Sequence, residues 1–226
     1  MTTFVLVHGG WDGAWAWRPI AQELQRRGHD VYTPTLTGSG ERVHLASREV
    51  GLHTHILDVV NVLRFEQLTD VVLVGFSYGG MVVTGVAEQL PDQISHLICM
   101  DGFVPANGQS IADLLGPQIM GALNDVAQRY GDGWRVPFDP PDADRRTDLL
   151  LRTAEEPLTV NNPEATRLKH TYVLFTAKPA DDWLAPVMER IAERVRQDGW
   201  NYRQAAFGHF PLLDFPHEVV ELILSL

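Results

Sequence analysis

The chain has 226 residues, 45% of them hydrophobic, and carries 18 Lys and Arg against 29 Asp and Glu, for a formal net charge of −11. That length suffices for one sizeable core, and a single domain is expected over residues 1–226. The excess of negative charge argues against nucleic acid or an anionic membrane as a partner and leaves small molecules.

The opening Met-Thr-Thr runs straight into an apolar stretch at residues 4–7, with no basic segment or small-residue cleavage site before it. No apolar run approaches the roughly eighteen residues that a membrane helix needs. A cytoplasmic location is therefore expected. Further short apolar runs follow at residues 31–33, 71–76, 94–100, 171–175 and 202–206. Apolarity that is continuous along a strand suits parallel strands covered on both faces. Amphipathic segments at 18–27, 53–67, 80–90, 185–197 and 217–225 alternate with them. The alternation predicts an α/β fold: a mostly parallel, doubly wound sheet of about six strands with helices on both faces.

From about residue 103 to residue 169 the alternation stops. Pro105, Gly131-Asp-Gly133, Pro137, Pro140-Pro141, Pro157 and Pro163 punctuate segments of short-helix length. A small helical cap, inserted before the last two strands, is predicted there. The single cysteine, Cys99, lies inside an apolar run and reads as a buried structural thiol. His53 and His55 do not share a helix face, and no Cys, His and carboxylate cluster has ligand spacing. Neither a metal nor an organic cofactor is expected.

Gly75-Phe-Ser77-Tyr-Gly79 leaves a predicted strand and opens a predicted helix. In that context G-x-S-x-G is a nucleophile elbow, a sharp turn that presents the serine oxygen above the sheet. An incidental serine in a glycine-rich turn is the competing reading. A serine hydroxyl needs a base, and the base needs a third group to orient it. His209, in the loop Gly208-His-Phe-Pro211 after the last predicted strand, fits the base, against the alternative of a loop or capping histidine. The amides of Gly10, in His8-Gly9-Gly10-Trp11, and of Tyr78 are the expected oxyanion donors. Trp11, Phe76, Tyr78, Phe103, Trp134, Trp183 and Phe210 fall in or near loops expected above the serine and predict an apolar substrate site. Arg42 is open between meeting a substrate carboxylate and bracing its own loop.

V-L-V-H-G-G-W-D-G-A-W-A-W, L-T-G-S-G-E-R, G-F-S-Y-G-G and the late G-H-F together resemble the α/β-hydrolases, within the branch of hydroxynitrile lyases, plant methyl-salicylate esterases and bacterial esterases. The resemblance is dense over residues 4–105, thin through the cap, and returns around His209. It implies a serine hydrolase working through an acyl-enzyme. Hydroxynitrile lyases place a lysine directly after the catalytic histidine, where this chain has Phe210, which disfavours lyase chemistry. Their usual acid aligns with Lys178, so the acid must come from elsewhere. Asp101, at the carboxyl end of the strand after the nucleophile helix, is the first choice, with Asp181 or Asp182 and then Asp214 as alternatives.

The resulting expectation is cleavage of a carboxylic ester, or a related acyl bond, of a small hydrophobic or aromatic substrate. A non-catalytic or weakly catalytic small-molecule binder on the same fold is the alternative class, and a tailoring hydrolase or thioesterase on polyketide-like substrates is a third reading. The oligomeric state stays open in the sequence, a homodimer included.

Overall fold

A computed structural model describes residues 1–138 and 145–226; Pro140-Pro141, one of the expected breaks in the cap, lies outside the described residues. In chain order, β1 (Thr3–Val7) leads to α1 (Arg18–Arg26), β2 (Asp30–Tyr32), α2 (Leu52–Phe65), β3 (Val71–Phe76), α3 (Gly79–Gln89) and β4 (Ile94–Met100). A second stretch follows, with α4 (Ile111–Leu115), α5 (Pro117–Tyr130), β5 (Arg135–Val136), β6 (Leu149–Leu150), α6 (Leu151–Glu155) and α7 (Pro163–Thr166). The chain then resumes with β7 (Lys169–Phe175), α8 (Ala185–Gln197), β8 (Asn201–Ala205), α9 (Pro211–Asp214) and α10 (Pro216–Leu224).

Among the described residues the main sheet has the order β2-β1-β3-β4-β7-β8, and every neighbouring pair is parallel. Its strands are apolar on both faces because each face meets helices. Val5, Val7, Leu73, Leu97, Cys99 and Leu174 point into one core with residues of α2, α3 and α8. Their neighbours Leu6, Val74, Phe76, Ile98, Met100 and Phe175 point the other way, into a core with residues of α1 and α10. The two-residue period of a strand thus splits one apolar run between two layers. Burial pushes the Cys99 thiol well up from its ordinary range, as suits an inert core group. The edge strand β8 departs from the expectation of continuous burial: Asn201, Arg203 and Gln204 are exposed, since no further strand covers that side.

Residues between β4 and β7 are not wholly helical, because β5 and β6 form a two-residue antiparallel pair. The helix α4 begins with a capping box: the Ser110 oxygen accepts the Asp113 amide, and the Asp113 carboxylate accepts the Ser110 amide. Gly116, at φ 80°, breaks α4 from α5, and Pro117 then starts the next helix with its missing donor at no cost. Among the described residues no helix is long and apolar enough to cross a membrane.

The close fit of β3 to α3 decides where the serine turn stands. A Cβ on Gly75 would come within 2.5 Å of the Gly79 carbonyl oxygen, and one on Gly79 within 2.6 Å of the Val7 carbonyl oxygen. Backbone atoms cannot swing aside as a side-chain tip does. Gly75→Ala is therefore expected to cost about 2–3 kcal/mol of stability, read as a lower midpoint in urea with an unchanged slope.

Candidate active site

Ser77 follows β3 directly and has φ 53°, a left-handed conformation that a non-glycine residue adopts only under constraint. The surrounding backbone supplies that constraint. The Ser77 amide donates to the Met100 carbonyl at 3.2 Å, and the Ser77 carbonyl accepts the Phe103 amide at 3.0 Å. Asp101, at φ 45°, is held in turn through its own amide on the Val173 carbonyl at 2.7 Å. Both turns sit at the carboxyl ends of adjacent parallel strands, where open sheets assemble their sites.

His209, in the loop after β8, reaches back across the sheet edge to both residues. Its Nδ1 lies 2.6 Å from Asp101 Oδ2 and its Nε2 lies 2.9 Å from Ser77 Oγ. A carboxylate only accepts, so Nδ1 carries the proton and Nε2 is left to accept the serine hydroxyl. Ser77, His209 and Asp101 are all buried, with Asp101 fully out of solvent. The Phe76 ring packs beneath the imidazole, with centroids 5.2 Å apart. This arrangement is able to draw a proton from the serine oxygen while the carboxylate holds the ring in one tautomer.

The other carboxylates proposed from sequence stand elsewhere. Asp181 and Asp182 line the cavity, and Asp182 Oδ1 accepts the Leu184 amide at 2.8 Å, an Asx turn just before α8. Asp214 is the last residue of α9. Lys178, where an acid is expected from the resemblance, donates instead to Asp101 Oδ1 at 2.7 Å and to the Phe175 carbonyl.

Gly10 and Tyr78 border the same cavity as Ser77, and a Cβ built on Gly10 would stand 3.8 Å from that of Tyr78. Among the described residues neither the Gly10 nor the Tyr78 amide has an acceptor. Two buried histidines brace this side. His8 Nε2 accepts the Leu36 amide at 3.1 Å, so its Nδ1 proton goes to the Gly9 carbonyl at 2.8 Å. His55 donates from Nε2 to the Thr37 carbonyl at 2.8 Å and accepts the Tyr78 hydroxyl on Nδ1 at 2.7 Å. Arg42 braces its own loop through the Thr35 carbonyl, the Thr37 hydroxyl and Asp58.

The cavity above Ser77 measures about 690 Å³ and is lined by Trp11, Phe103, Trp183 and Phe210 from the loops and by apolar side chains of α4 and α5. Trp11 also ties this wall to β5, donating its indole proton to the Val136 carbonyl at 2.7 Å. Two expected contacts need correction. Phe76 is fully buried between Trp17, Phe175 and His209, because the strand alternation turns it into the opposite core. Trp134 lies against Arg48 and Arg135 outside the cavity lining. Sequence reasoning missed Phe138 and Arg146: the guanidinium lies 3.9 Å from the Phe138 centroid and 4.7 Å from that of Phe210. It also meets Asp12 Oδ1 at 3.3 Å, which only partly counters burial, and burial holds that carboxyl above its ordinary range. Nothing in their local spacing marks these residues, which meet only through tertiary packing.

A parallel sheet that carries a serine on its strand-to-helix turn and a late histidine within reach defines the α/β-fold hydrolase class. This chain belongs to the α/β-hydrolase family, whose model matches residues 4–222. It is 36% identical to a carbendazim hydrolyzing esterase of Nocardioides sp. (strain SG-4G), with 100% of each chain covered. Methylesterase 9 of Arabidopsis thaliana is 33% identical over 46% of this chain, and an alpha-hydroxynitrile lyase of the same plant 30% over 45%. These matches span 41% and 40% of the two plant proteins. An extracellular α/β-hydrolase from a Paenibacillus species shares the fold, with a TM-score of 0.81 at 23% identity, covering 100% of this chain and 98% of that one.

Burial pushes the His8 imidazole down to about 4. The unfolded chain protonates this residue near pH 6.5, so between the two values it binds more protons than the fold does. The stability that depends on neutral His8 is complete above about pH 6.5 and is lost as pH falls toward 4, by about 3 kcal/mol. Denaturation midpoints measured from pH 7 to pH 4 are expected to fall less steeply in His8→Gln than in the wild type.

Proposed function

We propose that this hydrolase cleaves a carboxylic ester, or a related acyl bond, of a small hydrophobic or aromatic substrate, with Ser77 as nucleophile, His209 as base and Asp101 as the orienting acid. The observation that carries the reading is the continuous link from Ser77 Oγ through His209 to Asp101 Oδ2, at 2.9 and 2.6 Å. Ser77 Oγ attacks the acyl carbon and passes its proton to His209 Nε2. The amides of Gly10 and Tyr78 hold the negative oxygen of the tetrahedral adduct. His209 returns the proton to the leaving alcohol, and water then releases the acid from the acyl-enzyme by the same steps. The imidazolium formed on the way is stabilised by the Asp101 carboxylate.

The apolar lining supports a substrate that buries hydrocarbon or aromatic surface. The Nocardioides relative, named for hydrolysing carbendazim, makes that compound a direct member of the substrate panel. Within the same reading the protein is cytoplasmic, and residues 103–169 form the cap of one domain.

Purified protein and Ser77→Ala are to be compared on short aryl esters. A loss of about a thousandfold or more in kcat is expected of the variant, and equal turnover refutes the assignment. Rapid labelling of Ser77 by a fluorophosphonate separates the enzyme from an inert binder. Among the described residues the cavity lining includes Asp181 and Asp182 and no lysine or arginine. A neutral ester is thus expected to show a kcat/KM about tenfold above that of a matched ester bearing a free carboxylate, with the gap narrowing at high salt.

A further inference from the structure

We infer that Lys178 is a positioning residue for this reaction, one that clamps the Asp101 carboxylate for His209 and offsets part of its charge. The inference rests on the proposed roles of Ser77, His209 and Asp101. Lys178 lies just past the end of β7, with its side chain 4% exposed. Its Nζ donates to Asp101 Oδ1 at 2.7 Å and to the Phe175 carbonyl, while the Phe175 amide donates to the same Oδ1 at 3.1 Å. One carboxylate oxygen is thus occupied by β7 and the residues after it, and the other is left to His209 Nδ1 at 2.6 Å. Rotation of the carboxylate would break three contacts at once.

The charge matters as much as the geometry. A fully buried anion without a countercharge pulls a proton onto the nearest base, here His209, and a protonated imidazole cannot accept the serine proton. With Lys178 beside it, Asp101 is half of a closed ion pair, which attracts that proton less. The other charged or titratable groups near the ring and its carboxylate do not replace the lysine. Asp12, which feels His209 electrostatically, is paired with Arg146 at 3.3 Å. Tyr172, on β7, is a neutral phenol that donates to the Gly102 carbonyl at 3.0 Å. Asp181 and Asp182 border the cavity and carry the same sign as Asp101. Phe76 and Phe210, which also face the ring, are apolar.

The test follows the ring protons of His209 by NMR as pH is varied, in the full-length protein and in Lys178→Gln, Lys178→Met and Lys178→Arg. The titration midpoint is expected to rise by about one to two pH units in the two neutral variants and to stay within a few tenths of a unit in the arginine variant. The acid limb of kcat/KM on a short aryl ester is expected to move with it. Neutral variants that fold, as judged by wild-type circular dichroism, yet titrate as the wild type does, overturn the inference. Should neither neutral variant fold, Asp101→Asn/Lys178→Met is compared with the wild type: removing both halves of a closed pair is expected to move the midpoint by less than about one pH unit. A larger fall, the mark of a carboxylate whose charge Lys178 did not offset, overturns the inference. The NMR readout needs no turnover, so an unshifted midpoint leaves the hydrolase reading standing, and an active Ser77→Ala leaves the charge measurement interpretable.

Discussion

A carboxylate kept wholly out of water is the constraint to which the rest of this site answers. Asp101 has no exposed surface, and a buried anion persists only when donors surround it. Its three donors, the Phe175 amide, the Lys178 ammonium and the His209 ring, come from β7, from the residues after it and from the loop after β8. They meet because β4, β7 and β8 are parallel neighbours, so their carboxyl ends open side by side on one edge. An antiparallel arrangement would send every second loop to the far edge and scatter these groups.

Three of the six positive-φ non-glycine residues among the described residues stand along the same edge. Trp11, Ser77 and Asp101 all have positive φ, at 62°, 53° and 45°, and each follows a different strand. Such conformations cost about 1–3 kcal/mol apiece and last only where the surroundings over-determine them. Here the hydrogen bonds that hold one turn belong to the next: Ser77 binds the end of β4, and Asp101 binds β7. Positions of the serine oxygen and the carboxylate are therefore coupled through main chain. The tight backbone contacts at Gly75 and Gly79 press α3 against the sheet and leave the turn little freedom.

The two sides of the cavity are built by different means. On the side of Gly10 and Tyr78, neutral His8 and His55 tie the loop after β1 and the Tyr78 side chain into fixed hydrogen bonds, and burial pushes both imidazoles down. Elsewhere in the lining, α4 and α5 supply an aliphatic wall, and Arg146 lies against the Phe138 and Phe210 rings. The first side is rigid because both ring nitrogens of each of these histidines are hydrogen-bonded. The second depends on apolar contact, which is non-directional and accommodates varied hydrocarbon shapes.

Local pattern in the sequence determined the six strands of the main sheet, five of the helices that cover it and the presence of a serine turn, because periodicity, glycine placement and capping act over a few residues. Continuous apolar runs implied a sheet covered on both faces, and G-F-S-Y-G between a strand and a helix implied an exposed oxygen at residue 77. Which carboxylate faces Nδ1 of His209 was left among Asp101, Asp181, Asp182 and Asp214, since each sits at a plausible loop and spacing does not measure distance across a sheet. Tertiary structure decided that contact, turned Phe76 into the opposite core, took Trp134 out of the cavity and brought Lys178 onto Asp101. All four depend on strand order and on side-chain direction at the sheet edge, and those arise only when residues far apart in the chain are packed together.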